Sequence, residues 1–272
     1  MAALPLYFIT TKLSTLIWYT RRGNTVAMNR LGDLYREGNV VEQDYSESLK
    51  WYRLAADKGD PHGQNNLGSM YLNALGVEQN AAEAVKWYRL AAEQGEPAAQ
   101  YNLAVRYREG DGVPLDIKES AKWMKKSARQ CYTDAKNDWG VMLKYGNGVR
   151  KNHVEAALNF VSAARCGDVV ARGNLMDMVV ELKIFAQSGS HQAAYALGMI
   201  YRYGLTDTKD NVIGAAWFRA ALKIKQVPLS LGQEMYPLSK LLSDADTQRS
   251  IQLAEEWTKD CLRNVSVRPS HL

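Results

Sequence analysis

Cysteine and histidine are scarce in this chain, and their positions exclude two common kinds of site. The 272 residues contain three cysteines and four histidines. Cys131, Cys166 and Cys261 are odd in number and share no regular pairing, which argues against a disulfide framework and favours a reducing compartment. No His-x-x-x-His or Cys-x-x-Cys spacing occurs, so we expect no metal site. We therefore expect a cytoplasmic protein.

The signatures of common enzyme classes are also missing. The chain has no G-x-S-x-G nucleophile elbow, no glycine-rich phosphate loop and no dinucleotide fingerprint. We therefore predict no catalytic residue, no cofactor and no enzymatic activity. The formal net charge is +5, a mildly basic value that is typical of a solvated surface. We expect no nucleic-acid partner.

No apolar run in the sequence is long enough to span a bilayer. The most apolar stretch, residues 4–19, is interrupted by Lys12 and diluted by threonine and serine. A signal peptide carries its positive charge before the apolar stretch, whereas Arg21 and Arg22 follow this one and no small-residue cleavage site is present. We predict that residues 1–26 form a capping helix. An atypical segment for export or membrane association is the alternative.

What the chain does contain is a dipeptide that returns at a fixed interval of 36 residues. Its copies are Leu31-Gly32, Leu67-Gly68, Leu103-Ala104, Trp139-Gly140 and Leu175-Met176. A fixed period of this size indicates a repeat array. A further copy begins at Leu197, only 22 residues after Leu175 (197−175), so the fifth repeat lacks fourteen residues (36−22).

Each repeat is predicted to contain two helices. Ala27, Leu31 and Tyr35 lie four residues apart and share one helix face, and Gly38 is a typical C-terminal cap. The second helix begins with a polar residue that is followed three positions later by glutamate, which is the pattern of a capping box. The pairs are Asp44 and Glu47, Asn80 and Glu83, Asp116 and Glu119, and Asn152 and Glu155. We interpret these carboxylates as structural.

These residues resemble the SEL-one-like repeat (SLR) family, a relative of the tetratricopeptide repeat. The second repeat carries the pattern most fully, in the segments Leu67-Gly68-Ser69-Met70-Tyr71 and Ala84-Val85-Lys86-Trp87-Tyr88. The resemblance covers about residues 27–224. It implies an all-α fold, a right-handed α-solenoid of about five to six helix–turn–helix repeats of period 36, with helical caps at both ends.

The resemblance and the lack of any linker predict a single solenoid domain over residues 1–272. Residues 1–26 would form the N-terminal cap, 27–224 the repeats, and 225–272 the C-terminal capping helices, including one from about Asp246 to Leu262, and a frayed tail from Asn264. The truncated repeat near 171–189 should contain a continuous or sharply shortened helix around Val179–Gln187. We also expect a local change in superhelical pitch there.

The SLR resemblance implies a protein that assembles complexes without performing chemistry. Similar bacterial proteins serve as adaptors or as immunity proteins against toxins. We expect a monomer that binds a partner protein or peptide on the concave face, which the first helix of each repeat lines. An enzyme or ligand-binding protein acting on cell-wall peptides or β-lactams, as proposed for cysteine-rich relatives, is the alternative.

The candidate contact surface begins at the position before each leading residue of the dipeptide. That position is polar in every repeat, where it holds Arg30, Asn66, Asn102, Asp138 and Asn174. Further candidates on the same helices are Met70, Arg106 and Met142, together with the aromatic Tyr101. A polar ladder of this kind could hydrogen-bond a bound backbone, or it could bond adjacent helices of the fold. The sequence leaves both interpretations open.

Overall fold

The computed structural model describes the backbone at residues 6–206, 209–224 and 242–265, and the side chains at 13–206, 209–224 and 242–258. These residues contain fourteen helices and no strand. Residues 1–132 form an N-terminal compact unit with α1 (Leu6–Arg21), α2 (Thr25–Glu37), α3 (Tyr45–Asp57), α4 (Pro61–Leu72), α5 (Ala81–Glu93), α6 (Pro97–Glu109) and α7 (Ile117–Arg129). Residues 133–272 form a second unit with α8 (Thr133–Tyr145), α9 (His153–Arg165), α10 (Val169–Met176), α11 (Val179–Gln187), α12 (His191–Tyr203), α13 (Asn211–Ile224) and α14 (Asp244–Val265).

The helices pack in pairs that match the predicted repeats. The pairs are α2 with α3, α4 with α5 and α6 with α7 in the N-terminal unit, and α8 with α9 and α12 with α13 in the C-terminal unit. The leading leucines Leu31, Leu67 and Leu103 are fully buried, and Leu67 and Leu103 belong to core clusters that include the second helix of the preceding repeat. The predicted all-α, solenoid-like arrangement of helix–turn–helix repeats is therefore confirmed.

The second helix of each repeat is capped as predicted, but the capping box is one-sided. The Asn80 side chain accepts a hydrogen bond from the Glu83 N–H at 2.9 Å. Equivalent bonds are accepted by Asp44, Asp116 and Asn152. In a complete box the glutamate would accept from the cap residue's N–H, but the Asn80 N–H donates to the Tyr71 carbonyl at 2.9 Å. Glu83 instead pairs with Lys86 at 2.8 Å.

Glycine in the leading dipeptide lets an aromatic ring of the second helix approach the first helix closely. A β-carbon built on Gly140 would lie 2.6 Å from Cε1 of Phe160, well inside normal van der Waals contact. The same close approach occurs in the pairs Gly32 and Tyr52, Gly68 and Tyr88, and Gly198 and Phe218. The third repeat has Ala104 at the glycine position and the unbranched Met124 at the aromatic one, and both are fully buried.

The truncated repeat contains two short helices that nearly form one. Its helices α10 and α11 have eight and nine residues, whereas α9 and α12 have thirteen each. The residues between them, Asp177 and Met178, keep right-handed helical backbone angles. The prediction of a sharply shortened helix at Val179–Gln187 is confirmed.

Helices outside the repeats pack against the first and the last repeat. Helix α1 contacts α2, and α14 contacts α13. The predicted C-terminal helix is confirmed as α14, where Trp257 stacks on Trp217 with ring centroids 4.1 Å apart. The capping segment predicted at 225–241, the side chain of Cys261 and the tail beyond Val265 lie outside the described residues.

Cys131 occupies a position that favours glycine, which leads to a stability prediction. Its φ is +66°, and the equivalent residues of other repeats are Gly59, Gly95 and Gly167 with φ of +83°, +97° and +94°. The left-handed conformation costs an L-residue roughly 1–2 kcal/mol. We expect Cys131→Gly to raise the free energy of unfolding by about 1 kcal/mol in urea denaturation.

A matched control for this prediction is Gly95→Ala. An added β-carbon at Gly95 would meet nothing within 4 Å, so only the backbone conformation opposes the substitution. We expect it to lower the free energy of unfolding by about 1 kcal/mol. Loss of stability in Gly95→Ala without a gain in Cys131→Gly would contradict the proposed strain at Cys131.

Candidate functional site

Two asparagines of the predicted polar ladder bond adjacent repeats to each other. In the N-terminal unit, Asn102 Nδ2 on α6 donates to Asn65 Oδ1 on α4 at 2.9 Å. In the C-terminal unit, Asn174 Nδ2 on α10 donates to Asn137 Oδ1 on α8 at 3.1 Å. Both bonds join the first helices of consecutive repeats. The structural interpretation of the ladder therefore accounts for Asn102 and Asn174.

The other ladder side chains differ in their exposure and in whether they interact with other residues of the protein. Arg30 is exposed on α2, and Asn66 is half-buried on α4. Among the described residues, Asn66 makes no side-chain hydrogen bond. Asp138 on α8 is half-buried and interacts within the protein. Arg30 and Asn66 are thus the ladder side chains that remain available to a partner.

The predicted methionine contacts are corrected by the structure. Met70 and Met142 are only 1% and 3% exposed and belong to the core. They lie three residues after Leu67 and Trp139, and three residues is nearly one helical turn, so they share the buried face of the helix. Neither side chain presents a surface to a partner.

Arg106 and Tyr101 are also held by neighbours in the same unit. The Arg106 guanidinium forms ion pairs with Glu109, at 2.9 Å, and with Asp111. Its position is the one that Met70 fills in the previous repeat, so its aliphatic part packs inward. Tyr101 is half-buried and packs against Tyr132, with ring centroids 5.4 Å apart.

Sequence analysis missed a second set of amides that connect consecutive repeats. Gln94 Nε2 donates to Gln64 Oε1 at 2.8 Å, and Gln130 Nε2 donates to Gln100 Oε1 at 2.9 Å. Gln100 in turn donates to the Ala92 carbonyl at 3.1 Å. The signal was present, because both pairs recur at the 36-residue period. Polar side chains at these positions serve the fold.

An exposed apolar surface lies on the truncated repeat and was also missed. Five apolar side chains there are between 46% and 77% exposed, and one of them is Val170. The other four are Val169 and Met176 on α10 and Val180 and Ile184 on α11, and we call these four the 169–184 stripe. The sequence signal is the presence of apolar residues on both faces of α10 and α11.

The stripe is continuous because α11 prolongs α10 across a short kink. The Met178 N–H donates to the Leu175 carbonyl at 2.9 Å, so the chain stays coiled between the two helices. Stripe residues are spaced by seven, four and four positions, which places them on one helix face. The opposite face is buried at Ala171, Leu175, Leu182 and Ala186.

Charged groups flank the stripe. Asp177, next to Met176, lies 3.7 Å from Lys144. Glu181, next to Val180, pairs with His153. An exposed apolar patch with a polar rim is typical of a protein-contact surface.

Comparison with known proteins decides the family. The family model described as Sel1 repeat matches residues 25–60, 61–96, 97–130, 133–168 and 191–223, which is more than half of the chain. The chain belongs to the Sel1 repeat family. A solved Sel1 repeat protein from Oxalobacter formigenes is 32% identical to it, and the match covers 74% of this chain and 89% of the other with a TM-score of 0.54.

Two other solved structures are similar at lower identity. One is c5321, a protective antigen of uropathogenic Escherichia coli strains with an SLR fold, at 25% identity over 96% of this chain and 68% of that one, TM-score 0.39. The other is the immunity protein Pa5087 from Pseudomonas aeruginosa, at 19% identity over 94% and 79% of the two chains, TM-score 0.44. A search of curated proteins finds no match.

The Sel1 repeat matches leave out the truncated repeat. They stop at residue 168 and resume at 191, and the whole 169–184 stripe falls in this interval. In this Sel1 repeat protein the exposed apolar surface is therefore a departure from the repeat pattern. Within the part of the chain that the structure describes, no group of three His, Cys, Asp or Glu side chains could bind a metal ion. No helix of that part is both long and apolar enough to cross a bilayer.

Two buried tyrosines of the Sel1 repeats have raised pKa values, which should make the free energy of unfolding fall at alkaline pH. Burial raises the pKa of Tyr52, and the Asp33 carboxylate that accepts its hydroxyl hydrogen at 2.8 Å raises it further. Burial raises the pKa of Tyr88 to about 12, although the nearby Ser69 and Arg106 lower it in part. Both tyrosines therefore stay neutral in the folded state well above pH 10.

The stability that Tyr88 contributes should be lost in alkali. A folded pKa above the unfolded value means that this contribution is complete below pH 10 and falls as pH rises towards 12. We expect Tyr88→Phe to reduce the fall in the free energy of unfolding between pH 9 and 11.5 by about 1–2 kcal/mol. Urea denaturation at each pH measures it. An equal fall in the unmodified chain and in Tyr88→Phe would contradict this assignment.

Proposed function

We propose that this Sel1 repeat protein is a non-enzymatic scaffold that binds a partner protein. The observation that supports the proposal is the 169–184 stripe, because contiguous exposed apolar side chains on a folded surface mark interaction sites. Val169, Met176, Val180 and Ile184 lie on one face of a helical segment whose other face is anchored in the core. The segment is therefore preorganised for contact, which reduces the entropy cost of binding.

The partner would present an apolar face with polar groups at its edges. Such a face would cover the stripe and leave the polar contacts of Asp177 and Glu181 at the rim of the interface. On the first helices of the N-terminal unit, Arg30 and Asn66 remain candidate contacts on the proposed concave face. A bacterial adaptor and a toxin-immunity protein both fit this role, and they differ in the number and affinity of their partners.

The test is affinity capture from the native organism with the full chain as bait, read by mass spectrometry. The stripe variant Val180→Asp/Ile184→Asp removes the apolar contact while the buried face is untouched. The matched control is Val26→Asp, at an equally exposed valine of α2 outside the stripe. We expect a partner that is retained by the control and lost by the stripe variant, with affinity reduced at least tenfold in a binding assay with the purified pair.

Each other outcome has a defined meaning. A partner that binds the stripe variant as well as it binds the unmodified chain would reject the stripe as the site, and loss in Arg30→Ala/Asn66→Ala would place it on the ladder face. The absence of any stoichiometric partner would count against the scaffold function itself. One dominant tight partner whose toxicity the chain suppresses would establish an immunity protein, and several weaker partners would establish an adaptor.

A further inference from the structure

The end of α1 forms a second exposed surface that the scaffold function does not use. Trp18 and Tyr19 are 51% and 45% exposed, and their rings meet edge to face with centroids 4.9 Å apart. Exposing two adjacent large aromatic side chains to water is unfavourable, and covering them would release free energy. They lie in the N-terminal unit, outside the stripe.

Cations surround these aromatic rings. The Arg22 guanidinium lies 3.4 Å from the centroid of the Trp18 ring. Arg21, Arg22 and Lys58 are exposed and line an open cleft of about 570 Å³ between α1 and α3. None of the three forms an ion pair with any described residue. Their charge is therefore not neutralised within the part of the chain that the structure describes.

The charged side chains that line this cleft are all basic. Residues 1–32 contain Lys12, Arg21, Arg22 and Arg30 and no aspartate or glutamate. Asp57 and Asp60 lie close to Lys58 along the chain, but neither lines the cleft. The surface therefore combines basic side chains with exposed tryptophan and tyrosine.

We propose that the surface formed by Trp18, Tyr19, Arg21, Arg22 and Lys58 binds the headgroup region of an anionic lipid bilayer. Tryptophan and tyrosine favour the interface between hydrocarbon and water, where the ring is apolar on one side and polar on the other. Each arginine or lysine close to an anionic bilayer adds attraction that salt weakens. The cleft beside Arg21, Arg22 and Lys58 offers a lipid phosphate several donors at once. The contact is peripheral and independent of the proposed protein partner.

Co-sedimentation of the full chain with vesicles tests the proposal. We expect binding to mixed phosphatidylcholine and phosphatidylglycerol vesicles, much weaker binding to phosphatidylcholine alone, and release by salt. Arg21→Glu/Arg22→Glu should reduce the partition coefficient at least tenfold. The control Arg150→Glu/Lys151→Glu makes the same change in net charge at two adjacent exposed residues of the other unit and should bind nearly as well as the unmodified chain.

The aromatic part of the proposal has its own readout. Brominated lipids quench a tryptophan that reaches the interface, and we expect Trp18→Phe to remove most of that quenching; Trp51, which is half-buried and also lines the cleft, accounts for what remains. Equal binding to both kinds of vesicle, or equal loss in the two charge variants, would overturn the proposal. A protein captured by the unmodified chain and lost by Arg21→Glu/Arg22→Glu, without vesicle binding, would overturn it in favour of an acidic protein partner. The stripe variant Val180→Asp/Ile184→Asp should keep full vesicle binding, which separates this test from that of the scaffold function.

Discussion

Replacing Gly140 with alanine should lower the free energy of unfolding by about 2–3 kcal/mol, because the first helix of the repeat cannot then approach the second. The added β-carbon would lie 2.6 Å from Cε1 and 2.9 Å from Cδ1 of Phe160. Phe160 is fully buried, so its ring can move only by displacing other core residues. Overpacking of this kind typically costs 1–3 kcal/mol. Urea denaturation followed by circular dichroism measures the change.

The third repeat shows how the cost can be offset. In that repeat Ala104 stands in place of the glycine, and Met124, twenty residues later, stands in place of the aromatic residue. Phe160 follows Gly140 by the same twenty residues. Methionine is unbranched and flexible, so it accommodates the extra methyl group that a rigid ring would not. We therefore expect Gly140→Ala/Phe160→Met to be more stable than Gly140→Ala by at least about 1 kcal/mol. If the loss of stability in the double variant equals the sum of the losses in Gly140→Ala and Phe160→Met, the two positions are not coupled.

The packing within a repeat can be predicted from the sequence because each contact there recurs. The leading glycines and the aromatic residues twenty positions later return at the same period, so the contact between Gly68 and Tyr88 is visible as two matching columns. The cap residues are visible for the same reason. Their glutamate partners were assigned only half correctly, because the N–H of the cap bonds a carbonyl of the preceding helix. That carbonyl belongs to the backbone and leaves no trace in the sequence.

Contacts between repeats could be predicted only in part. Asn102 donates to Asn65 and not to Asn66, which is its equivalent in the previous repeat. The hydrogen bond therefore joins two different repeat positions, and the 36-residue period does not reveal it. Met70 and Met142 were assigned to the surface because their helix phase was read from the polar ladder rather than from the buried leucine. The side-chain phase of the core residue is the safer reference.

The 169–184 stripe escaped sequence analysis for a different reason. A loss of fourteen residues moves the second helix of that repeat out of the common period, so the face assigned from the other repeats no longer applies. The shortened α11 keeps Leu182 and Ala186 in the core and turns Val180 and Ile184 outward. The exposed apolar residues of this repeat can therefore be recognised only once the bounds of its helices are known.

Replacing Trp217 with alanine should lower the free energy of unfolding by about 4 kcal/mol, which is more than the loss expected for Gly140→Ala. Trp217 is buried on α13, and its ring stacks on Trp257 of α14 at 4.1 Å between centroids and 22° between planes. Truncating a buried tryptophan to alanine typically costs 3–5 kcal/mol. The same change weakens the packing of α14, which covers the apolar face of the last repeat as terminal elements of a repeat array do. Urea denaturation followed by circular dichroism is the measurement.

Two controls separate loss of the stack from loss of a tryptophan. Trp18→Ala, at an exposed position, should change the free energy of unfolding by no more than about 0.5 kcal/mol. Trp257→Phe keeps an aromatic ring over Trp217 and should cost much less than Trp257→Ala. Two polar contacts, from Arg219 to Ser250 at 3.0 Å and from Lys223 to Glu255 at 3.1 Å, also join α13 to α14. A loss below about 1 kcal/mol in Trp217→Ala would mean that these contacts hold α14 in place without the aromatic stack, contrary to its assignment as a helix docked through its apolar face.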